Sequence, residues 1–149
     1  MRYLSASSAG THAVIGGQIH PFAAQVIEKF GGDSSSFSAQ QFSPAISLDA
    51  DLILTMTRAH RDEVLNVSPR ELHKTFTLFE AARLVAEFNA GNVADLATLR
   101  PQLALDERSD VNDPIGRGPE IFSTVGQQIA DLLPPILELC RRSAASVAE

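Results

Sequence analysis

The run Asp51-Leu52-Ile53-Leu54-Thr55-Met56, DLILTM, is apolar through its centre and shows no alternation. A half-solvated strand alternates, and a helix stripe needs more length, so a short unbroken run predicts a strand covered on both faces, as in a parallel sheet. Downstream, Thr57 is placed to cap a helix through RAHRDEVLNV. Ser68-Pro69-Arg70-Glu71 has capping-box spacing and predicts one further turn, and HKTF, residues 73–76, predicts a short strand. Thr77-Leu78-Phe79-Glu80 repeats the capping-box spacing ahead of LFEAARLVAEF, whose Ala, Leu and Arg favour helix.

Upstream, Pro21 suits the first position of a helix, where its missing N–H costs nothing. Phe22, Val26 and Phe30 then fall on one stripe, widened by Ala23 and Ile27, and Gly31 can end the helix in the left-handed conformation. The weak alternation of RYLSAS predicts a third strand near residues 2–7. NVADLATLRPQLAL predicts a less regular helical piece broken near Pro101. Pro119 opens the last helix, where Ile121, Val125, Ile129, Leu132, Leu133 and Ile136 recur at helical spacing and Pro134 and Pro135 predict a kink. These elements predict an α/β sandwich: a short parallel sheet of about three strands with helices on both faces, one domain over residues 1–149, and a frayed tail over 143–149.

A net charge of −6, with twelve Lys and Arg scattered among eighteen acids, leaves no basic stripe and argues against a nucleic-acid partner. No run approaches a membrane span, and the start MRYLSASSAGTHAVIGG has no apolar signal core, so a cytoplasmic protein without a membrane partner is expected. The single cysteine, Cys140, permits no internal disulfide, and His12, His20, His60 and His73 lack metal-ligand spacing, so no metal is expected. Cys140 reads as a small hydrophobe.

SDVNDPIGRGPEIF, Ser109 to Phe122, reads as a loop that presents an acid and then starts a helix. On residue type alone Asp113 is a turn aspartate ahead of that helix, Asp110 a solvated loop charge, and Ser8 and Thr11 turn hydroxyls.

SAGTH after a strand, ADLILTMTRAHRDEV in the middle, KTFTLFEAARL and DVNDPIGRGPEIF together resemble the low-molecular-weight protein tyrosine phosphatases, above all their bacterial branch, from about Ser5 to Leu139. The resemblance implies phosphotyrosine hydrolysis through a cysteinyl-phosphate intermediate, without a cofactor. A thiolate in a C-x5-R loop attacks phosphorus, backbone N–H groups and the Arg hold the oxygens, and an Asp-Pro loop protonates the leaving oxygen. By this match Asp113 takes the general-acid position, Pro114 fixes its loop, and Ser8 and Thr11 stand where the family supports its phosphate loop. Ile115 replaces a common aromatic, Thr57 an acid after the strand methionine, and Gln40 an Arg.

The nucleophile Cys and the phosphate-binding Arg have no counterpart. In the family their loop precedes the SAGT strand, which here begins at residue 2, and the residue six places after Cys140 is Ser146. Cys140 is expected at a helix C-terminus, where the dipole raises a thiol pKa. The chain is thus expected to be N-terminally truncated relative to the family, or to have a true start upstream. The missing central strand would leave strand edges that favour a homo-oligomer. Three readings stay open: a phosphatase completed by upstream sequence, an inactive relative that binds a phosphoprotein or phosphotyrosine ligand, and an arsenate-reductase-like relative. The chain by itself is expected to be inactive.

Overall fold

A computed structural model describes residues 4–103 and 110–147, with side chains as far as residue 142. In chain order the elements are α1 (Pro21–Lys29), α2 (Pro44–Asp49), β1 (Ile53–Thr55), α3 (Arg58–Val67), a 3-10 segment (Pro69–Lys74), β2 (Thr75–Thr77), α4 (Leu78–Phe88), α5 (Val93–Leu99), a 3-10 turn (Arg100–Gln102) and α6 (Pro119–Val147). β1 and β2 pair in parallel, Ile53 with Thr75, Leu54 with Phe76 and Thr55 with Thr77. This is an α/β architecture with a short parallel sheet flanked by helices.

Local signals place most boundaries. The Thr57 hydroxyl accepts from the His60 N–H at 3.0 Å and starts α3. Thr77 and Glu80 form a reciprocal capping box at α4, with the Thr77 hydroxyl accepting from Glu80 N and the Glu80 carboxylate accepting from Thr77 N, each at 3.1 Å. Asn89, at φ +58°, ends α4 in the left-handed region that short polar side chains tolerate. Gly31, at φ +84°, follows α1 as expected.

Several expectations need correction. Residues 4–7 are exposed and belong to no strand, so the described sheet has two strands; residues 1–3 lie outside the described residues. Gly10 instead makes an isolated parallel bridge with Gln41, and this loop-to-loop pairing satisfies backbone groups that a strand would have paired with the sheet. β1 is covered less than expected: Ile53 and Leu54 are half-buried, and only Thr55 is buried. The strand expected over residues 73–76 begins at Thr75, because residues 69–74 coil as 3-10. Ser68 makes no capping bond; its hydroxyl lies 2.9 Å from that of Ser47 in a buried pair. α6 extends past Cys140 as far as Val147, so the helix does not end at the cysteine as expected, and residues 148–149 of the expected frayed tail lie outside the described residues.

The hydrophobic core is built from one part of the chain. Phe76, Leu78, Leu84, Leu96, Ile136 and Leu139 are almost wholly buried, and every apolar side chain packed with them lies between Leu52 and Cys140. Residues 4–50 contribute no buried hydrophobic side chain. This first third is held instead by α1 against α6 and by polar ties. Phe22 meets Phe122 edge-on at 5.4 Å, and His20, whose Nδ1 caps α1, stacks on Phe122 at 4.6 Å. The Lys74 ammonium donates to the carbonyls of Ser47 and Ala50, each at 2.7 Å, where the C-terminus of α2 carries partial negative charge.

Gly126 makes the α1–α6 contact possible. A Cβ there would lie 2.2 Å from Val26 Cγ1, and a β-branched side chain on a helix has essentially one rotamer with which to retreat. Replacing a helical Gly by Ala gains about 1 kcal/mol of propensity, but overpacking of this severity costs about 1–3 kcal/mol. Gly126→Ala is therefore expected to loosen α1, seen as faster hydrogen exchange of its amides, with α4 unaffected; unchanged protection in α1 would contradict the packing argument.

Candidate active site

The loop after residue 109 is tied to the end of β1, the end of a parallel sheet at which α/β proteins place ligands. Val111, itself 2% exposed, donates its N–H to the Met56 carbonyl at 2.8 Å. One residue earlier, Asp110 Oδ1 accepts the Arg58 N–H at 2.9 Å and lies 3.7 Å from Arg58 Nε. The solvated role expected for Asp110 is thereby corrected: the carboxylate sits on the first N–H of α3, where the helix dipole favours an anion.

Asp113 follows on an exposed turn. Its Oδ1 accepts from Ile115 N at 3.0 Å, and Arg117 N donates to the Pro114 carbonyl at 2.9 Å. Gly116, at φ +80°, takes the turn position that requires a positive φ. Asp113 also borders a shallow groove with Asn112, Arg117, Glu120, Ile121 and Thr124, and Ile115 stands 63% exposed beside it. An aspartate held by one oxygen and open to solvent can exchange a proton with a bound ligand.

Ser8 and Thr11 occupy a separate segment. The Gln40 side chain donates to the Ser8 carbonyl at 2.7 Å. Gln41 donates to the Thr11 carbonyl at 2.7 Å and accepts from Ala13 N at 2.9 Å. The Thr11 hydroxyl and then the His12 ring, 3.5 Å away, hold the Glu63 carboxyl below the usual carboxylate range against the opposing effect of desolvation. The segment is thus anchored to α3 at Glu63, more than one turn beyond the anchor of the Asp113 loop at Arg58. Among the described residues no hydrogen bond joins Ser8 or Thr11 to that loop.

Cys140 lies well along α6 from the helix start that follows the Asp113 loop. It lies 18 residues after Phe122 on α6, a rise of about 27 Å at 1.5 Å per residue. It is half-buried against the core, and burial, followed by the negative charge of Asp51, pushes its thiol pKa up. The expected direction of this shift is found, but its cause differs: α6 continues beyond Cys140, so the helix end does not act on the thiol. Asp51 precedes β1, whereas the Asp113 loop is bound at Met56 beyond its other end.

Local sequence gave no signal for Asp110, Gln40, Gln41 or Glu63, whose partners are distant in the chain. Among the described residues no cluster of three metal-ligating side chains occurs, and no helix is long and apolar enough to cross a membrane.

The chain is similar over 69 residues, at 32% identity, to a Klebsiella pneumoniae protein named for low molecular weight protein-tyrosine-phosphatase; the match covers 46% of this chain and 48% of that protein, about half its length. Its fold is similar to the YwlE arginine phosphatase of Geobacillus stearothermophilus, with a TM-score of 0.71 at 21% identity over 94% of this chain and 76% of that one. It is also similar to the low molecular weight protein tyrosine phosphatase of T. tengcongensis, with a TM-score of 0.68 at 24% identity over 89% and 75% of the two chains. A further likeness is to Vibrio vulnificus Wzb in complex with benzylphosphonate, with a TM-score of 0.65 at 20% identity over 91% and 77%. Residues 1–97, well over half of the chain, match the family described as low molecular weight phosphotyrosine protein phosphatase, and the chain belongs to that family.

Proposed function

We propose that this chain is the acid-bearing body of a low molecular weight phosphatase: it presents Asp113 as the proton donor for the leaving oxygen of a phosphomonoester and supplies no nucleophile of its own. The observation that carries this reading is the position of the one cysteine. Cys140 is held about 27 Å along α6 from the Asp113 end, half-buried, with its thiol pKa raised. A cysteine-dependent phosphatase site needs a thiolate and a ring of N–H and cationic groups around three oxygens, and a thiol with a raised pKa inside a helix offers neither. Family membership favours phosphotyrosine as the substrate class, while similar folds include both tyrosine and arginine phosphatases, so the ligand is a phosphorylated protein side chain.

The test is turnover of para-nitrophenyl phosphate by the purified 149-residue chain and by Cys140→Ser. Neither is expected to release phenolate above the buffer rate. Iodoacetamide should modify Cys140 more slowly at pH 8 than it modifies a cysteine of the unfolded chain, because a raised pKa leaves less thiolate. A chain extended by an upstream Cys-x5-Arg element is expected to turn over and to lose that activity in vanadate. Vanadate-sensitive turnover that disappears with Cys140→Ser would overturn the proposal.

A further inference from the structure

We propose that Asp110 is the positioning residue of the Asp113 loop, a latch that fixes the general-acid position by binding the start of α3. The inference rests on the role proposed for Asp113, but the latch stands on its own geometry.

Two consecutive residues bridge the same corner. The Asp110 carboxylate accepts the Arg58 N–H at 2.9 Å, with Arg58 Nε at 3.7 Å from the same oxygen, and the Val111 N–H reaches the Met56 carbonyl at 2.8 Å. Together they span the β1–α3 turn from both sides. The carboxylate bond is charge-assisted and supported by the α3 dipole, so it is the stronger of the two. Val111 is the only buried residue between Asp110 and Pro119, and the turn beyond it, including Asp113, is exposed or half-exposed. The loop therefore has one buried anchor and one ionic anchor, and Asp113 lies only three residues from the ionic one.

Without Asp110 the first amide of α3 loses its acceptor, Val111 remains as a single pivot, and the turn can swing about it. A general acid must lie within hydrogen-bond reach of the oxygen it protonates, so displacement of about 1 Å matters to the chemistry while hardly changing the fold.

The experiment is backbone NMR relaxation and hydrogen exchange on the full chain, which need no turnover. In Asp110→Ala the Val111 amide is expected to exchange about tenfold faster, as fits loss of a charge-assisted bond. The order parameters of Asp113 and Ile115 should fall below about 0.6, the flexible range, while amides in α4 keep their protection. Asp110→Asn keeps an oxygen that accepts from Arg58 N and should restore most of the order. Unchanged order at Asp113 in Asp110→Ala would overturn the latch, and so would an equal loss of protection through α4, which would mark general destabilisation. Failure of the Asp113 reading would appear separately, as turnover of an extended chain that is indifferent to Asp113→Asn while the exchange results stand.

Discussion

In a chain extended to carry a Cys-x5-Arg element, Asp113→Asn is expected to slow hydrolysis of alkyl phosphates by about 10²- to 10⁴-fold, the usual worth of a general acid. The same substitution should barely affect esters whose leaving group departs unprotonated. An alkoxide is a poor leaving group and needs its proton in the transition state, whereas a stabilised phenolate does not. Asn preserves the shape of the turn and can still accept from Ile115 N, so positioning survives and only proton donation is lost. Equal losses for both classes of ester, measured as kcat/KM, would show that Asp113 acts on the loop and not on the proton.

The acid role of Asp113 is implied only by the family resemblance, whereas the turn it makes was legible in the sequence because an Asp-Pro pair ahead of a helix is a local signal. The same holds for Thr57, for the Thr77–Glu80 capping box, and for Pro21 and Pro119 at the first turns of α1 and α6. Each involves groups within a few residues of one another, so the pattern contains both partners. The misread residues have partners far away. Ser68 pairs with Ser47 across 21 positions and Asp110 with Arg58 across 52, and no spacing rule reports such meetings. The expected strand is absent over residues 4–7 for a related reason: a strand needs a neighbour, and short-range alternation says nothing about whether one is present. The end of α6 was misplaced because Arg, Ala and Ser after Cys140 carry adequate helix propensity once packing has established the helix.

Glu80→Ala is expected to cost about 2–3 kcal/mol, the 3–5 kcal/mol of a broken buried ion pair discounted for residual exposure. The Glu80 side chain is 13% exposed and serves three groups: it accepts from Thr77 N at 3.1 Å and from Arg61 Nη1 at 2.7 Å, and it lies 3.7 Å from Arg100 Nε. Burial lowers the Arg100 pKa and Glu80 opposes that shift, while nearby Arg61 adds to it. Arg100 also lies 3.9 Å over the Phe76 ring and donates to the Thr75 carbonyl, so it cannot easily swing into solvent. Removing the carboxylate leaves the like charges of Arg61 and Arg100 without the anion they share. Urea unfolding should show a lower midpoint with an unchanged slope, and Glu80→Gln should recover part of the loss through its retained oxygen. A midpoint unmoved by Glu80→Ala would show that the network contributes specificity without stability.

The one-sided core has a consequence for cooperativity. Residues 4–50 are joined to the rest by rings, a glycine contact and a few polar ties, whereas residues from Leu52 to Cys140 share one apolar interior. Opening the first unit exposes little buried hydrocarbon, so its free energy is set by few contacts and lies well below that of global unfolding. The two units are therefore expected to open separately, the N-terminal third by local release and the remainder in a single transition, which amide hydrogen exchange would resolve. A single melting temperature would describe only the second of these events.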